Sequence, residues 1–443
     1  MKVAVIGAGW AGCAAAVEAT RRGHQVSVFE AALVAGGRAR RVDSPRAGTG
    51  MVLDNGQHIL IGAYSECLKL MAELGVDETT ALLRLPLTLQ WPDGNGLKLP
   101  QSPWLPAPLD ALAGILRARG WSWRDKLSLL STATAWQLRR FQCPPQQSVA
   151  DLCRHVSPTI MATLIEPLCV SALNTPAERA SGQVFLRVMR DALFAGHGGS
   201  NLLLPRTDLS TLMPGAALSW LQRHGGQVKL GMRIKDIACA NVSTGTGWTV
   251  TCAANQSQGV FDRVVLACPP VEAARLAASC GLPCQTWQAQ ALGLQHEAIA
   301  TVYLQMSGAD EVSGAAAIKL RQPMLALHST PEFPAQFVFD RGQLGGPHGL
   351  LAFVVSASMA AGSVLTRQVL AQADAQLGLR DLQEVQTIVE KRATFACSPG
   401  LVRPGMVIAP SLLACGDYIE GPYPATLEGA VRSGLAASRQ LTT

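Results

Sequence analysis

The sequence predicts an α/β protein in which a parallel β-sheet flanked by helices carries an inserted, mixed α+β domain. Three observations support this fold class. A glycine-rich turn joins a strand to a helix at the amino terminus, a strand–turn–helix pattern returns near the carboxyl terminus, and the pattern between them changes to hairpins and apolar helices. At 443 residues the chain is long enough for more than one domain.

The first element is a short β-branched strand, Lys2–Ile6, which runs directly into three glycines with GxGxxG spacing, Gly7, Gly9 and Gly12. In such a turn Gly7 permits the sharp bend, Gly9 lets the backbone approach a pyrophosphate, and Gly12 lets the helix pack closely on the strand. The N-terminus of the following helix adds unpaired N–H groups that attract an anion. The turn therefore predicts a Rossmann-like, dinucleotide-binding domain.

A second strand, Gln25–Phe29, ends at an acidic residue, Glu30. An acidic residue here in a dinucleotide site binds the ribose hydroxyls and disfavours a 2′-phosphate, so we expect Glu30 to bind ribose and the ligand not to be NADP. Gly36 and Gly37 follow, and then Arg38, whose guanidinium is suited to contact phosphates.

The middle of the chain departs from this pattern. Leu87–Trp91 and Gly96–Pro100 flank a Pro-Asp-Gly-Asn turn and predict a β-hairpin. Further on, Trp248–Cys252 and Arg263–Ala267 are expected to continue the parallel sheet. The predicted dinucleotide-binding domain comprises residues 1–85, 205–275 and 395–443, and the predicted substrate-binding domain comprises residues 86–204 and 276–394.

Residues 101–142 combine tryptophan with basic side chains. The tryptophans are Trp104, Trp121, Trp123 and Trp136, and Arg117, Arg119, Arg124, Lys126, Arg139 and Arg140 stand against only Asp110 and Asp125. Tryptophan and basic residues together suit the headgroup layer of a membrane, so this segment predicts peripheral membrane contact through Trp121 and Trp123. The alternative is a helical cap over a pocket, with the tryptophans in the core.

Composition narrows the classes of function. Hydrophobic residues make up 48% and charged residues 15% of the chain, and the net charge of +6 comes without a long Lys/Arg run, which favours apolar and membrane partners over nucleic acid. No CxxC pair occurs among the 12 cysteines, and Cys280 and Cys284 lack further ligands, so we expect buried thiols and no metal.

A strand from residue 2 leaves no room for a signal peptide, and no uncharged apolar run reaches the length of a spanning helix. The expected location is cytoplasmic, on the inner face of the plasma membrane.

The GxGxxG turn, Glu30 and Gly36-Gly37-Arg38 together resemble the flavin-containing amine oxidase and phytoene desaturase superfamily. The resemblance implies an FAD cofactor, with Gly37 and Arg38 passing by its pyrophosphate and flavin. It further implies that an Asp-x-Gly segment containing Gly56 runs past the flavin ring and that Ile234 makes a backbone contact to adenine.

The carboxyl-terminal stretch matches the same superfamily. Its strand ends at Gly416 and Asp417, where the resemblance implies a carboxylate beside the ribityl chain and pyrophosphate. The helix after Thr426 is expected to aim its N-terminus at the flavin. With both ends matching, the resemblance covers nearly the whole chain.

Within the superfamily, the sequence segments GQHIL, ALNTP and YPATLEGAVRSG most resemble the hydroxysqualene dehydroxylase branch of bacterial hopanoid operons. This implies reductive removal of an allylic hydroxyl from an apolar isoprenoid, with squalene as product; the electron donor is left open. A carotenoid-type desaturase, a non-enzymatic prenyl-binding protein and an amine oxidase are the alternatives. The intact glycines and Glu30 oppose the prenyl-binding protein. Thr426, where amine oxidases carry an aromatic residue, opposes the amine oxidase, although Tyr418 and Tyr423 could supply aromatic rings from the preceding loop.

Removal of a hydroxyl as water needs a proton donor. His58 and Asp417 are the ionisable residues that the motifs place near the flavin, and Asp417 is expected to hold the ribityl chain. His58 is therefore the predicted catalytic residue, with a purely structural role as the alternative.

Overall fold

The computed structural model describes residues 1–44, 51–101, 104–105, 107–194, 196, 198–242, 245–306, 320–357 and 362–441. The strands are β1 (Lys2–Ile6), β2 (Gln25–Phe29), β3 (Arg41–Asp43), β4 (Val52–Asp54), β5 (Leu60–Ile61), β6 (Leu82–Leu85), β7 (Thr88–Gln90), β8 (Gly96–Lys98), β9 (Leu202–Pro205), β10 (Gln227–Lys229), β11 (Ile234–Val242), β12 (Gly245–Cys252), β13 (Ser257–Phe261), β14 (Arg263–Leu266), β15 (His296–Met306), β16 (Met324–Ala326), β17 (Phe337–Asp340), β18 (Leu350–Ser356), β19 (Leu382–Phe395), β20 (Val407–Ala409) and β21 (Leu412–Ala414).

The α-helices are α1 (Trp10–Arg21), α2 (Ser65–Glu73), α3 (Glu78–Ala81), α4 (Leu109–Arg117), α5 (Trp123–Leu138), α6 (Val149–Leu152), α7 (Pro158–Ile160), α8 (Glu166–Leu173), α9 (Gly182–Leu193), α10 (Ala216–Arg223), α11 (Pro270–Ser279), α12 (Gln285–Leu292), α13 (Gly362–Leu377) and α14 (Leu427–Arg439). A π-helical turn precedes α8, and another, which contains Pro214, precedes α10.

A six-stranded sheet in the order β10-β2-β1-β14-β21-β20 forms the first core, and its strands are parallel except for β20 at the edge. The apolar side chains of β1 are buried on both faces, as expected for a central parallel strand. The chain passes from β1 to β2 on one side and later returns to β14 on the other. The carboxyl end of β1 is thus a topological switch point, the place where open α/β sheets bind ligands.

Helices α1 and α14 pack against each other with their backbones in close approach. A Cβ atom at Gly434 would lie 2.2 Å from the carbonyl oxygen of Ala11, and Ser438 donates from Oγ to the carbonyl of Ala15 at 2.6 Å. The last helix of the chain is therefore fixed against the helix that follows the glycine-rich turn.

A five-stranded antiparallel sheet in the order β16-β17-β18-β15-β19 forms a second core, with α13 packed against it. Together with the parallel sheet it gives the predicted α/β fold with a mixed α+β insertion. The predicted hairpin is confirmed, since β7 and β8 pair antiparallel. The residue boundaries of the two domains stay predictions.

One strand prediction is wrong. The strand that contains Trp248–Cys252, β12, does not continue the parallel sheet but pairs antiparallel with β11 and β13 in a separate sheet. The connection between β11 and β12 is too short for the crossover that a parallel neighbour requires, so the two strands form a hairpin.

The tryptophans of residues 101–142 divide into two groups. Trp121 is only 7% exposed and donates from Nε1 to Thr163 Oγ1 at 2.9 Å, and Trp136 is buried edge-on against Phe185. Trp123, in contrast, is 67% exposed. The predicted membrane contact through Trp121 is therefore wrong, because a local Trp/Arg pattern cannot tell which ring faces inward.

No helix among the described residues is both long and apolar enough to cross a membrane. The cysteines are free thiols, most of them buried, and the described residues hold no group of three or more His, Cys, Asp or Glu side chains arranged for a metal ion.

Candidate cofactor site at the switch point

The glycines of the first turn have two different reasons to be glycine. Gly7 has a φ of +115°, and a Cβ there would lie 2.5 Å from the carbonyl oxygen of Ala267; a Cβ on Gly12 would lie 1.9 Å from the carbonyl oxygen of Gly7. Both are required by packing of the protein itself. A Cβ on Gly9 would meet nothing closer than Gly37 Cα at 3.8 Å. The open space over Gly9 is therefore a cradle that a side chain would fill.

Gly9 also precedes the first residue of α1 and places no side chain over the helix N-terminus. The first N–H groups of a helix have no intrahelical acceptor, so this cradle presents hydrogen-bond donors and a partial positive charge. The second glycine pair closes one side of it. Gly36 donates its N–H to the carbonyl of Ala8 at 2.9 Å and bridges Gly9. The two glycine segments together form a site suited to a pyrophosphate.

Glu30 lies directly after β2 and braces the turn. One carboxylate oxygen accepts the N–H of Ala8 at 2.7 Å, and the other accepts the N–H of Ala32 at 2.8 Å. Each carboxylate oxygen has a second acceptor position, so these bonds leave room for a ribose hydroxyl. The ribose contact of Glu30 stays a prediction; its role in shaping the turn is visible directly.

Arg38 and Asp417, both predicted cofactor residues, form an ion pair. Arg38 Nη2 lies 2.5 Å from Asp417 Oδ1, and Arg38 Nη1 donates to the carbonyl of Ala393 at 2.7 Å. Burial lowers the pKa of Arg38, but the charge of Asp417 and its hydrogen bond outweigh burial, so the pKa is raised overall. Contact of Arg38 with phosphate stays a prediction, while its contact with Asp417 joins the two sequence motifs in space.

The carboxyl-terminal motif is held by α14. Gly416 donates its N–H to Ser433 Oγ at 2.8 Å, and a Cβ on Gly416 would lie 2.6 Å from the ring of Tyr418. Thr426 caps α14, because its Oγ1 accepts the N–H of Gly429 at 3.0 Å. The hydroxyl of Tyr418 is buried and has no hydrogen-bond partner among the described residues.

Glu428 has a role that sequence reasoning missed. It is completely buried, and its carboxylate accepts the N–H groups of Glu66 at 3.1 Å and Cys67 at 3.0 Å in the first turn of α2, as well as Arg432 Nε at 2.7 Å. A carboxylate at a helix N-terminus satisfies donors that otherwise lack partners. Glu428 thus ties α14 to α2, across 362 positions of sequence.

Ile234 begins β11 with a buried side chain. Its carbonyl oxygen accepts a hydrogen bond from Arg275 Nη2 at 3.0 Å. The implied backbone contact to adenine stays a prediction.

His58 lies beside Gly56 in the segment after β4. A Cβ on Gly56 would lie 3.6 Å from His58 Cε1, and His58 Nδ1 is buried with no hydrogen-bond partner among the described residues. Burial lowers the pKa of His58 to about 4; the Gly56 backbone opposes this shift and the positive charge of Arg38 adds to it. The imidazole is therefore neutral near pH 7 and carries no readily donated proton in this state.

A buried polar network holds the segment that carries His58. Gln57 donates from Nε2 to the hydroxyl of Tyr303 at 2.8 Å, and Tyr303 donates to the carbonyl of Asp54 at 2.8 Å. Arg341 lies 3.7 Å from Asp54 Oδ2 and donates to Gln57 Oε1 at 3.2 Å. Because Tyr303 belongs to β15 and Arg341 follows β17, the network fastens this segment to the antiparallel sheet. No local sequence signal pointed to either residue.

The sequence profile of the family described as flavin containing amine oxidoreductase matches residues 10–442. A hydroxysqualene dehydroxylase of Rhodopseudomonas palustris is 28% identical over 98% of this chain and 97% of that protein. A second hydroxysqualene dehydroxylase, from Sinorhizobium fredii, is 25% identical with the same coverage. A zeta-carotene desaturase of Synechocystis is 38% identical, but over only 18% of this chain and 16% of that protein.

Solved structures agree on the fold. An oxidoreductase from Methanosarcina mazei superposes with a TM-score of 0.70 at 15% identity, covering 99% of this chain and 100% of that one. A cyclohexylamine oxidase from Brevibacterium oxydans superposes with a TM-score of 0.68 at 16% identity, covering 99% of this chain and 98% of that one. The predicted fold class is confirmed.

The buried Asp54 gives a pH-dependent prediction. Burial raises its pKa to about 6, although Leu209 N–H and Arg341 oppose the shift, and an unfolded aspartate has a pKa of about 3.9. Protonated Asp54 is thus favoured in the folded state, so its contribution to stability is full below pH ~4 and lost as pH rises through ~6. Asp54→Asn, which keeps an acceptor for Leu209, should gain on the parent by about 2–3 kcal/mol between pH ~4 and pH ~7.

Urea unfolding of both proteins across this pH range measures the difference, in which the titration of His58 cancels. Asp43→Asn, at an exposed carboxylate, controls for loss of one charge. A difference between Asp54→Asn and the parent that does not change with pH would contradict the assignment.

Proposed function

The chain belongs to the flavin containing amine oxidoreductase family, and on this premise we propose that it is an FAD-dependent oxidoreductase that converts hydroxysqualene to squalene. The observation that carries the proposal is the match to hydroxysqualene dehydroxylases over 98% of the chain, whereas the match to a carotene desaturase covers 18%. The family implies a flavin, so the residues at the switch point have to suit FAD.

Open space and polar atoms without hydrogen-bond partners support the fit of FAD to this site. The cradle over Gly9 has no packing reason to lack a side chain, and the buried Tyr418 hydroxyl and His58 Nδ1 have no partner among the described residues. We propose that the first turn holds the pyrophosphate, that Glu30 and Ile234 bind the adenosine half, and that the second motif and the segment after β4 lie along the flavin half. The residues assigned in this way are Gly7, Gly9, Gly12, Glu30, Gly37, Arg38, Gly56, Ile234, Gly416, Asp417 and Thr426.

The proposed reaction replaces a C–OH bond by C–H and releases water, which takes two electrons and two protons. A reduced flavin, when bound, supplies the hydride. The chain has to orient the allylic carbon, exclude water and deliver a proton to the leaving hydroxyl. The network of Gln57, Tyr303 and Arg341 fixes the backbone that carries His58, the residue we propose for the proton.

Two tyrosines of the carboxyl-terminal loop that could otherwise form an aromatic cage for an amine have their rings packed against the protein. Tyr418 is buried beneath Gly416, and the Tyr423 hydroxyl donates to Asp191 Oδ2 at 2.8 Å while Arg432 lies over its ring. Thr426 uses its hydroxyl as a helix cap. These contacts favour an isoprenoid over an amine. A carotenoid-type desaturase is the second candidate, supported by the local match to zeta-carotene desaturase.

The proposed partners follow from the substrate. An apolar isoprenoid resides in membrane, so we propose peripheral membrane contact near residues 101–142 as its route of entry. The electron donor that reduces the flavin is not assigned.

Product analysis tests the function. Anaerobic incubation with photoreduced flavin and hydroxysqualene, followed by gas chromatography, should yield squalene together with oxidised flavin. Absence of squalene, combined with oxidation of a polyene precursor by the oxidised protein, would instead establish the desaturase.

Cofactor placement predicts the behaviour of Gly9→Val. A Cβ at this position meets no atom closer than 3.8 Å and the valine methyl groups occupy the cradle, so the variant should fold and purify without bound flavin, whereas the parent should be yellow. Visible absorbance and circular dichroism measure occupancy and fold. The control is Gly405→Val, where a Cβ meets nothing within 4 Å. Full flavin occupancy in folded Gly9→Val would refute the placement.

Proton delivery predicts the behaviour of His58 variants. General acid assistance contributes about 10² to 10⁴ in rate, so His58→Ala should lower turnover by that factor with flavin still bound. His58→Gln keeps a hydrogen-bond donor but cannot titrate, and should recover little. Only the protonated imidazole can donate, so parent turnover should also fall as pH rises through the pKa that His58 has in the ligand-bound site.

A purely structural role of His58 predicts the opposite result. If His58 only supports the loop, His58→Gln retains most activity, and single-turnover oxidation of reduced flavin by substrate proceeds near the parent rate. That result would remove His58 from the mechanism.

A further inference from the structure

A basic cavity lies between the end of α5 and the side of α9, and none of its lining residues is among those assigned to the cofactor. Its volume is about 330 Å³, and it is lined by Arg140, Phe141 and Cys143 from one side and by Gln183, Arg187 and Arg190 from the other. None of these residues has a role in the proposed reaction.

The walls of the cavity are fixed by aromatic packing. Trp136 of α5 packs edge-on against Phe185 of α9, with ring centroids 6.1 Å apart, and Phe141 contacts Phe194 at 4.8 Å. The backbone reverses after α5 through Arg140 and Phe141, which have φ values of 53° and 55°. The strained turn and packed rings hold the Arg140 side of the cavity against α9.

Helix α9 presents its polar stripe to the cavity. Gln183, Arg187 and Arg190 are spaced by four and three positions and so share a face, while the opposite face is buried. Arg190 is paired with Asp191 at 2.8 Å. Arg140 and Arg187 have no ion pair or side-chain hydrogen bond with any described residue. The cavity thus holds uncompensated guanidinium donors, which bind phosphate oxygens in a forked geometry.

An exposed apolar surface runs up to this cavity. Of the fifteen exposed large hydrophobic side chains in the described part of the chain, seven lie between residues 104 and 138. On α5 the exposed residues include Trp123, Leu127 and Leu138, which share one face, and Leu138 is 80% exposed immediately before Arg139 and Arg140. On α4 they are Leu109, Leu112 and Leu116. Lys126 joins the two helices by donating to the carbonyl of Leu116 at 2.8 Å.

We propose that the cavity binds the phosphate group of an anionic phospholipid while the exposed faces of α4 and α5 enter the apolar edge of the same bilayer. The inference rests on the proposed membrane contact and names the headgroup site within it. Basic side chains next to exposed leucine and tryptophan match the two layers of a membrane surface. A soluble phosphate would use the arginines but would leave the apolar faces of α4 and α5 in water.

Vesicle partition tests the arginine site. The full-length protein is sedimented with vesicles of phosphatidylcholine alone and with vesicles of equal parts phosphatidylcholine and phosphatidylglycerol. Binding should be tighter to the anionic vesicles, and Arg187→Ala should weaken it about fivefold, as expected for one basic residue at the surface. Arg187→Lys keeps the positive charge but loses the forked pair of guanidinium donors, so its affinity for anionic vesicles should lie between those of the parent and Arg187→Ala. Arg223→Ala, an exposed arginine of α10, removes the same charge and should bind like the parent.

A second pair of variants tests the exposed apolar faces of α4 and α5. Leu127→Ser should weaken partition to both vesicle types, and Leu292→Ser, at an exposed leucine of α12, should not. Equal binding by Arg187→Ala and Arg223→Ala would overturn the headgroup site. Self-association that Leu127→Ser abolishes, in a parent that does not bind vesicles, would assign the surface to a second copy of the chain and overturn the proposal.

Soluble phosphate separates the two sources of the anion. If inorganic phosphate binds the parent but not Arg187→Ala, and the parent shows no preference for anionic vesicles, the lipid assignment is wrong. These assays contain no substrate or reductant, so their failure leaves the proposed dehydroxylation intact. Product analysis in detergent tests that reaction independently of vesicle binding.

Discussion

The ion pair of Arg38 and Asp417 is the interaction on which the site depends. It joins the loop after β2 to the loop after β21, and Arg38 also binds the carbonyl of Ala393 at the end of β19. Three distant segments therefore meet at one guanidinium. Asp417 is almost fully buried, so loss of Arg38 would leave an uncompensated charge in the interior. The carboxyl ends of β2 and β21 lie at the same edge of the parallel sheet with β1 and β14 between them, and the ion pair connects the two loops across that edge.

Helix α14 supplies the second constraint. The close approach of Gly434 to Ala11 sets its distance from α1, Glu428 fixes it to the N-terminus of α2, and Thr426 defines where it begins. The end of the chain is thereby held to the helix that follows the first glycine turn. A side chain at Gly434 would separate α1 from α14 and move the Gly416 loop, because Ser433 binds the N–H of Gly416.

Sequence patterns predicted those parts of the molecule that depend on backbone chemistry. Gly7 has a positive φ and Gly12 packs on the carbonyl of Gly7 within one strand–turn–helix unit, so their spacing predicted the turn. Trp121 and Trp123 show the limit: only tertiary packing puts one ring against Thr163 and leaves the other in solvent. Tyr303 and Arg341 were missed for a similar reason, since each meets Gln57 across more than two hundred positions of sequence. The catalytic role of His58 and the cofactor contacts stay predictions, because they depend on ligand geometry.

Desolvation favours uncharged side chains in the segment around His58. The same burial that lowers the pKa of His58 to about 4 raises that of Asp54 to about 6. Burial therefore favours the neutral form of a base and of an acid four positions apart. If the proposed reaction takes place here, a site of this kind would disfavour a free hydroxide leaving group just as it disfavours imidazolium, and the allylic hydroxyl would have to leave with a proton. If His58 provides that proton, its pKa must rise when ligands fill the site. A negative charge brought close to the ring would have that effect by opposing the influence of Arg38.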